Sequence, residues 1–260
     1  MTGDRTGAGD PDRTLALLWR EPQAARRGPR PGTSVDAVVA AAIRLADAEG
    51  TAAVTMRRLA ALVGVAPMSV YTYVPGKAEL LDLMLDAVYA RMPRTDTTGA
   101  PWRTRVTAVA QENRALFAAH PWAAEVSTVR PPLGPGQMAK YDHELRAFDG
   151  LGLTDVDVDA ALACVLAFVR THARDSADAA AGRRASGTDD AQWWARNGPL
   201  LARVLDPATY PVAARVGTAA GEAFGSTWDP DHAWDFGLAT LLDGITARGC
   251  STWSPVPRAP

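Results

Sequence analysis

Residues 55–77, TMRRLAALVGVAPMSVYTYVPGK, decide the fold. Thr55 stands where a helix N-cap belongs, its hydroxyl free to accept an amide of the first turn. Leu59, Leu62 and Val63 follow at helical spacing as a buried stripe. Gly64 then falls where a left-handed C-cap is needed, a conformation costly for a residue with a side chain. Val65 turns inward, and Pro67 suits the first turn of a second helix, where its missing N–H does no harm. That second helix is too short to be stable alone, so Val70 and Val74 must point into a core. Met68, Ser69, Tyr71, Thr72 and Tyr73 are left on the outer face. The pattern is two helices joined by a tight turn, the shape that presents a helix to the major groove of DNA.

Two exposed tyrosines need partners. Phosphate oxygens, sugars and thymine methyls suit them, and packing against neighbouring helices is the other reading. Pro75-Gly76 stops the helix, and Lys77 opens the next, where an ammonium either meets a phosphate or stays solvated.

The run TMRRLAALVGVAPMSVYTYVPGKAELLDLML resembles the DNA-binding segment of the tetracycline repressor (TetR) family. The likeness rests on Thr55, Arg57, Leu59-Ala60, Gly64-Val65, Tyr71, Lys77 and Leu80-Leu81, without a gap. It implies backbone contacts from Thr55, Ser69, Tyr71, Tyr73 and Lys77, and base reading by Arg57, Met68 and Thr72. From Trp102 onward a looser likeness to the subgroup around the tetracycline repressor itself is carried by Trp102, Val129-Arg130-Pro131, the stretch 141–152, Asp159 to Leu162, Trp234 to Leu238, and Gly244. The two positions where that subgroup places magnesium-binding histidines hold Ser127 and Pro93, which argues against magnesium–tetracycline as the ligand.

The formal charge of −2 conceals a division. Residues 13–94 carry 11 Lys/Arg against 7 Asp/Glu, whereas residues 95–260 carry 15 against 19. The basic excess sits around the proposed reading head. Cys164 and Cys250, far apart in apolar helical runs, read as small hydrophobes rather than a redox pair. The N-terminus lacks the pattern of a signal peptide, and Ala160 to Val169 is too short to span a bilayer, so a cytoplasmic protein without membrane contact is expected.

The expected architecture is all-α: a three-helix DNA-binding domain with a helix-turn-helix, plus a larger helical ligand-binding and dimerisation domain. Residues 1–32 form a partly basic arm, 33–76 the helix-turn-helix domain, 77–92 a connecting helix, 93–250 the second domain and 251–260 a tail. Residues 1–12 read as a disordered leader and 14–19 as a short apolar turn. Arg26, Arg27 and Arg30 then either enter a narrow minor groove or supply only general attraction. Thr33 or Ser34 caps the first helix, which ends at Gly50. Helices are expected over 102–119, 122–129, 137–148, 155–177, 193–205, 207–223 and 232–248, with 176–190 as a mobile loop.

The helix from Asp155 is apolar on two faces: Val158, Leu162, Val165, Leu166 and Val169, then Ala160, Ala163, Ala167 and Phe168. The last helix is similar, with Trp234, Leu238, Leu241 and Ile245 on one side and Phe236, Gly237 and Gly244 elsewhere. Such helices need two partners, either within one large bundle or from symmetry mates in a homodimer, the arrangement the family resemblance implies. A candidate ligand pocket is drawn from Asn113, Phe117, Trp122, Arg130, His143, Thr171, His172, Trp193 and Trp194, which also describe a packed core. His120, His143, His172 and His232 lack metal-ligand spacing, no catalytic motif is present, and no cofactor is implied. The reading favoured is a dimeric regulator on a double-stranded operator, a repressor released by a small-molecule inducer of unknown identity. A constitutive DNA-binding protein whose second domain only dimerises stands behind it, and an enzyme further back.

Overall fold

The computed structural model describes residues 4–20 and 33–249, so Arg26, Arg27, Arg30 and Cys250 lie outside the described residues. Among those described, all regular secondary structure is helical apart from one isolated bridge, Arg5 to Ser127. Two compact units are present, one drawn from Met1–Ala173 with Thr246–Pro260, the other Arg174–Ile245.

The first unit holds the segment that decides the fold. Helix α2 (Val35–Glu49) is capped by Ser34, whose side chain accepts from the Ala37 amide. Val38, Val39, Ala42, Leu45 and Ala46 form its buried face. It ends at Gly50, and a 3₁₀ turn over Thr51–Ala53 leads to α3 (Met56–Val63). Thr55 caps α3 through the Arg58 amide at 3.4 Å, and Gly64 closes it in the left-handed region, φ 73°. Leu59 is buried, but Leu62 is 57 % exposed, correcting the expectation that it belongs to the inner stripe. An eight-residue helix turns little more than twice, and Leu59 and Ala60 already take up the side facing the core.

Helix α4 (Pro67–Val70) is one turn, continued to Val74 by amides of Thr72, Tyr73 and Val74 reaching back to Ser69 and Val70. Val70 and Val74 are fully buried. Helix α5 (Lys77–Arg91) follows, burying Leu81, Met84, Leu85 and Val88, which recur at helical spacing. It also buries Glu79, Asp82 and Asp86.

Those acids account for the largest departure from the sequence reading. The chain from Asp4 to Arg20 is ordered, and its residues 11–18 are a helix, α1 (Pro11–Leu18), not a leader followed by a turn. Its composition is polar, but the amides of Gly7 and Asp10 donate to Asp82 (3.1 Å) and Glu79 (3.3 Å), while Leu17 and Leu18 are buried where α1 packs against α5. A polar segment needs few apolar residues when its amides find buried acceptors.

Beyond α5 come α6 (Trp102–Ala119), α7 (Pro121–Glu125) and α8 (Pro135–Arg146). The Gly134-Pro135-Gly136 turn lets the start of α8 press on α5: a Cβ at Gly136 would fall on the Asp86 carbonyl. The Asp86 carboxylate accepts the Gln137 amide at 2.8 Å, capping α8. Helix α9 (Asp155–Ser186) passes straight through the stretch read as a mobile loop. Alanine and arginine propagate a helix well, Gly182 alone does not stop it, and Gly187 at φ 65° ends it. Leu162, Val165 and Val169 are buried, whereas Ala160, Ala163 and Ala167 are exposed. Cys164 lies on that uncovered face, so its expected place in a core is not found.

In the second unit α10 (Asp190–Val204) starts with a capping box at Asp189 and Gln192. Pro207 belongs to a turn organised by the Asp206 carboxylate, so α11 (Pro211–Phe224) begins four residues later than the sequence suggests. Helix α12 (Pro230–Gly249) buries Trp234, Leu238, Leu242 and Ile245 and leaves Phe236 69 % exposed. No helix among the described residues is long and apolar enough to cross a membrane.

A Cβ at Gly64 would meet nothing within 4 Å, so only the backbone conformation resists substitution. Gly64→Ala is expected to lower unfolding free energy by about 1 kcal/mol and Gly64→Asn by less, as read from denaturant midpoints.

Candidate nucleic-acid interface

The outer surface of α3 and α4 is polar, aromatic and open. Met68 is 77 % exposed and Tyr71 43 %, while Arg57 and Thr72 are exposed and Ser69 and Tyr73 half-buried. Thr55 is exposed with its hydroxyl already used as the α3 cap. Leu62 adds an apolar group that the helical periodicity places inward. Arg58 is held away by a two-pronged bond to Glu49 (2.8 and 2.7 Å), which raises the guanidinium pKa and lowers that of the carboxyl. Arg57 is the arginine this pairing leaves to the outer face.

Lys77 is differently placed from the sequence expectation of a lysine that is either phosphate-facing or solvated. Its Nζ donates to the Thr51 carbonyl at 3.1 Å and pairs with the Asp4 carboxylate at 3.2 Å. The first bond ties the start of α5 to the turn before α3. The second comes from the N-terminal segment, which no sequence signal marks.

Of the nine residues proposed for a ligand pocket, seven belong to the first unit and Trp193 and Trp194 to the second. Asn113 is fully buried, its Nδ2 donating to the Val109 carbonyl (2.9 Å) and to Glu144 (2.6 Å). Glu144 also takes the buried Lys140 ammonium at 2.6 Å. Burial lowers the Lys140 pKa, and Glu144 works against that. Phe117 is buried nearby in sequence on the same helix, α6. The Trp122 indole donates to Asp47 of α2 at 2.7 Å, and His120 Nδ1 lies 2.7 Å from the same oxygen. Trp122 therefore joins α7 to α2, the first helix of the helix-turn-helix domain. Arg130 and Thr171 are exposed, and His172 is buried with its ring tilted against Phe168.

His143 alone of the nine lines the polar cavity of about 470 Å³ bounded by residues 94–99, α6 and α8, where it sits 2.8 Å from Glu112. Arg94, Arg105 and Arg146 line it too, and Arg105 is committed to the carbonyls of Ala100, Ala147 and Asp149. The polar stretch over 93–101 gives no sign of this wall in the sequence. Trp193 and Trp194 belong to the second unit, where with Leu200, Leu201 and Val204 they line an open apolar groove.

Comparisons with known proteins bear on this geometry. Residues 38–84 match the family described as bacterial regulatory proteins, tetR family, and residues 93–248 the tetracyclin repressor-like C-terminal domain. The chain is 40 % identical over 243 residues to the HTH-type transcriptional repressor DrrR1 of Streptomyces coeruleorubidus, covering 93 % of this chain and 88 % of the relative. Among solved structures it is similar to ActR of Streptomyces coelicolor in complex with actinorhodin, at 25 % identity and TM-score 0.72, covering 85 % of this chain and 99 % of that one. It is also similar to BioQ with its double-stranded DNA operator, at 25 % identity and TM-score 0.55, covering 83 % and 99 %.

Burial raises the Asp82 pKa from 3.8 to about 6, against the opposing Gly7 amide. The folded state therefore binds this proton more readily than the unfolded chain, and the cost of ionising Asp82 is present above about 6 and fades as pH falls toward 4. Asp82→Asn should stabilise the protein most at neutral pH relative to the parent, with the difference shrinking below that pKa in parallel thermal melts.

Proposed function

We propose that this chain, which belongs to the TetR family of bacterial regulatory proteins, is a homodimeric repressor that a small-molecule ligand releases from a near-palindromic operator. The family is one of DNA-binding transcriptional regulators rather than enzymes. The observation that carries the DNA half is the uncovered face of Arg57, Met68, Tyr71 and Thr72 on a turn whose inward residues, Val70 and Val74, are fully buried. A rigid mount with a polar, aromatic outer face is what groove reading needs. In this reading Thr55, Ser69, Tyr71, Tyr73 and Lys77 meet the backbone, Arg57 pairs with guanine, Met68 and Thr72 contact base edges, and Arg26, Arg27 and Arg30 add basic charge that attracts DNA. BioQ in complex with its operator supports the DNA partner, and ActR in complex with actinorhodin supports a ligand for the helical domain. The His143 cavity is a candidate place for such a ligand in the first unit, and its 94–99 wall follows directly from the connecting helix.

Dimerisation draws on the helices that stay half-covered in a single chain. Ala160, Ala163, Cys164 and Ala167 on α9, and Phe236 on α12, are exposed apolar groups with small neighbours, which suits close isologous packing. Ala163→Arg and Phe236→Asp alter exposed positions and should leave the fold intact while converting a dimer to a monomer in sedimentation. A parent chain that is already monomeric at micromolar concentration would refute the arrangement.

For the reading face, Tyr71→Ala should weaken binding to an operator duplex selected from a random pool. Lys77→Ala should do so across sequences and flatten the salt dependence by about one unit of log–log slope for each phosphate that is no longer neutralised. Unchanged affinity in both variants would sink the proposed docking face. If no compound that binds the helical domain releases the operator, only a constitutive DNA-binding protein is left.

A further inference from the structure

The N-terminal segment is fastened at both its ends to different parts of the first unit. At its start the Thr6 amide donates to the Ser127 carbonyl (3.1 Å) and the Ser127 amide to the Asp4 carbonyl (3.0 Å), flanking Arg5 in a bridge. The Thr6 hydroxyl, 3 % exposed with its residue, donates to the Arg130 carbonyl. Gly7 sits at φ 64°, and a Cβ there would lie 2.9 Å from the Arg130 Cβ, so this backbone path admits little but glycine. The Gly7 and Asp10 amides go to Asp82 and Glu79 of α5. At its end the Trp19 indole donates to the Leu133 carbonyl at 2.8 Å, and Arg20 pairs with Asp36 of α2. Ser127, Arg130 and Leu133 all lie between α7 and α8.

With Asp4 fixed by that bridge, its carboxylate reaches Lys77 at the start of α5. A lysine carrying a carboxylate at 3.2 Å has its charge answered from within the chain, and a phosphate must displace that partner to use it. We propose that residues 4–20 are an autoinhibitory strap: Asp4 occupies Lys77 in the free protein, and the bridge to Ser127 ties that occupancy to the segment between α7 and α8. The strap opposes DNA binding while seated, and anything that moves the 127–133 segment changes how firmly it is seated. The inference rests on the reading of Lys77 as a phosphate contact.

Lys77 is expected to act on the phosphate backbone irrespective of sequence, so a duplex of about 30 base pairs with random sequence is a sufficient probe, titrated at about 50 to 200 mM salt. In the full chain, Asp4→Asn removes the competing charge, and Gly7→Val unseats the strap with no change of charge. Both should tighten binding roughly three- to tenfold at the lowest salt and steepen the log–log salt slope by about one per reading head. Asp12→Asn makes the same charge change on α1 at an exposed residue that does not pair with Lys77, and it should give a distinctly smaller gain. In a Lys77→Gln background, neither Asp4→Asn nor Gly7→Val should tighten binding. Equal gains from Asp4→Asn and Asp12→Asn, or gains that survive Lys77→Gln, overturn the strap. If Lys77→Gln alone weakens binding while Asp4→Asn and Gly7→Val do nothing, the strap falls and the docking face stands. If Lys77→Gln leaves affinity and slope unchanged in a chain that still melts cooperatively, the phosphate role of Lys77 falls and the strap with it.

Discussion

A single helical turn cannot hold itself together in water, and α4 is one turn long. The helix presented to DNA has no stability of its own, so the surrounding packing exists to supply it. Val70 and Val74 provide the anchorage, both fully buried, and the Lys77 bond to the Thr51 carbonyl closes the loop between the end of the reading helix and the turn before α3. Gly64 allows the tight reversal that brings α3 and α4 against each other. A mount of this kind lets position encode recognition: the outer side chains can be varied for a different operator without disturbing the two valines that fix the turn.

The same constraint makes α5 more than a spacer. Glu79, Asp82 and Asp86 lie along it at helical spacing, buried among apolar residues, and each accepts backbone amides from another segment. Glu79 and Asp82 take the N-terminal strap, and Asp86 takes the start of α8. Buried carboxylates are costly unless hydrogen-bonded, so these acids specify where the strap and α8 must sit. On α2 the exposed Asp47 receives the Trp122 indole and lies beside His120. The reading head is thus joined to the helices beyond it by directional bonds at two places, in addition to the close packing of α5 on α8.

What the sequence discloses follows from how local each signal is. The caps at Ser34 and Thr55, the stop at Gly64, the inward valines and the apolar rows of α2 and α5 are set by residues within a turn or two of one another, and all are legible. Leu62 is misplaced by its spacing because periodicity gives a helix its face without saying how wide the covered stripe is. The strap escapes a sequence reading because its bonds run from polar backbone to acids some 70 residues away in sequence, which no periodicity records. The acids themselves are a usable signal, since three carboxylates on the inner rows of an apolar helix require donors from elsewhere. Asn113, Trp122 and His143 look alike as candidate pocket residues because the types that line a cavity also satisfy buried bonds. Only the partners, Glu144, Asp47 and Glu112, separate them.

The geometry of the strap also fixes the form that any coupling through it must take. One short segment bonds Lys77 at the reading head and Ser127, Arg130 and Leu133 between α7 and α8. If DNA displaces Asp4 from Lys77, the strap loses a bond that helped hold the 127–133 segment. If an event at that segment loosens the strap, Lys77 becomes easier for DNA to take. These are two descriptions of one free energy, so the factor by which the first changes the second equals the reverse. Seen this way, contact with that segment by a ligand weakens DNA binding only where it seats the strap more firmly. A ligand that disrupts the strap would strengthen DNA binding, and release in the proposed homodimer would then have to act through the spacing of its two reading heads.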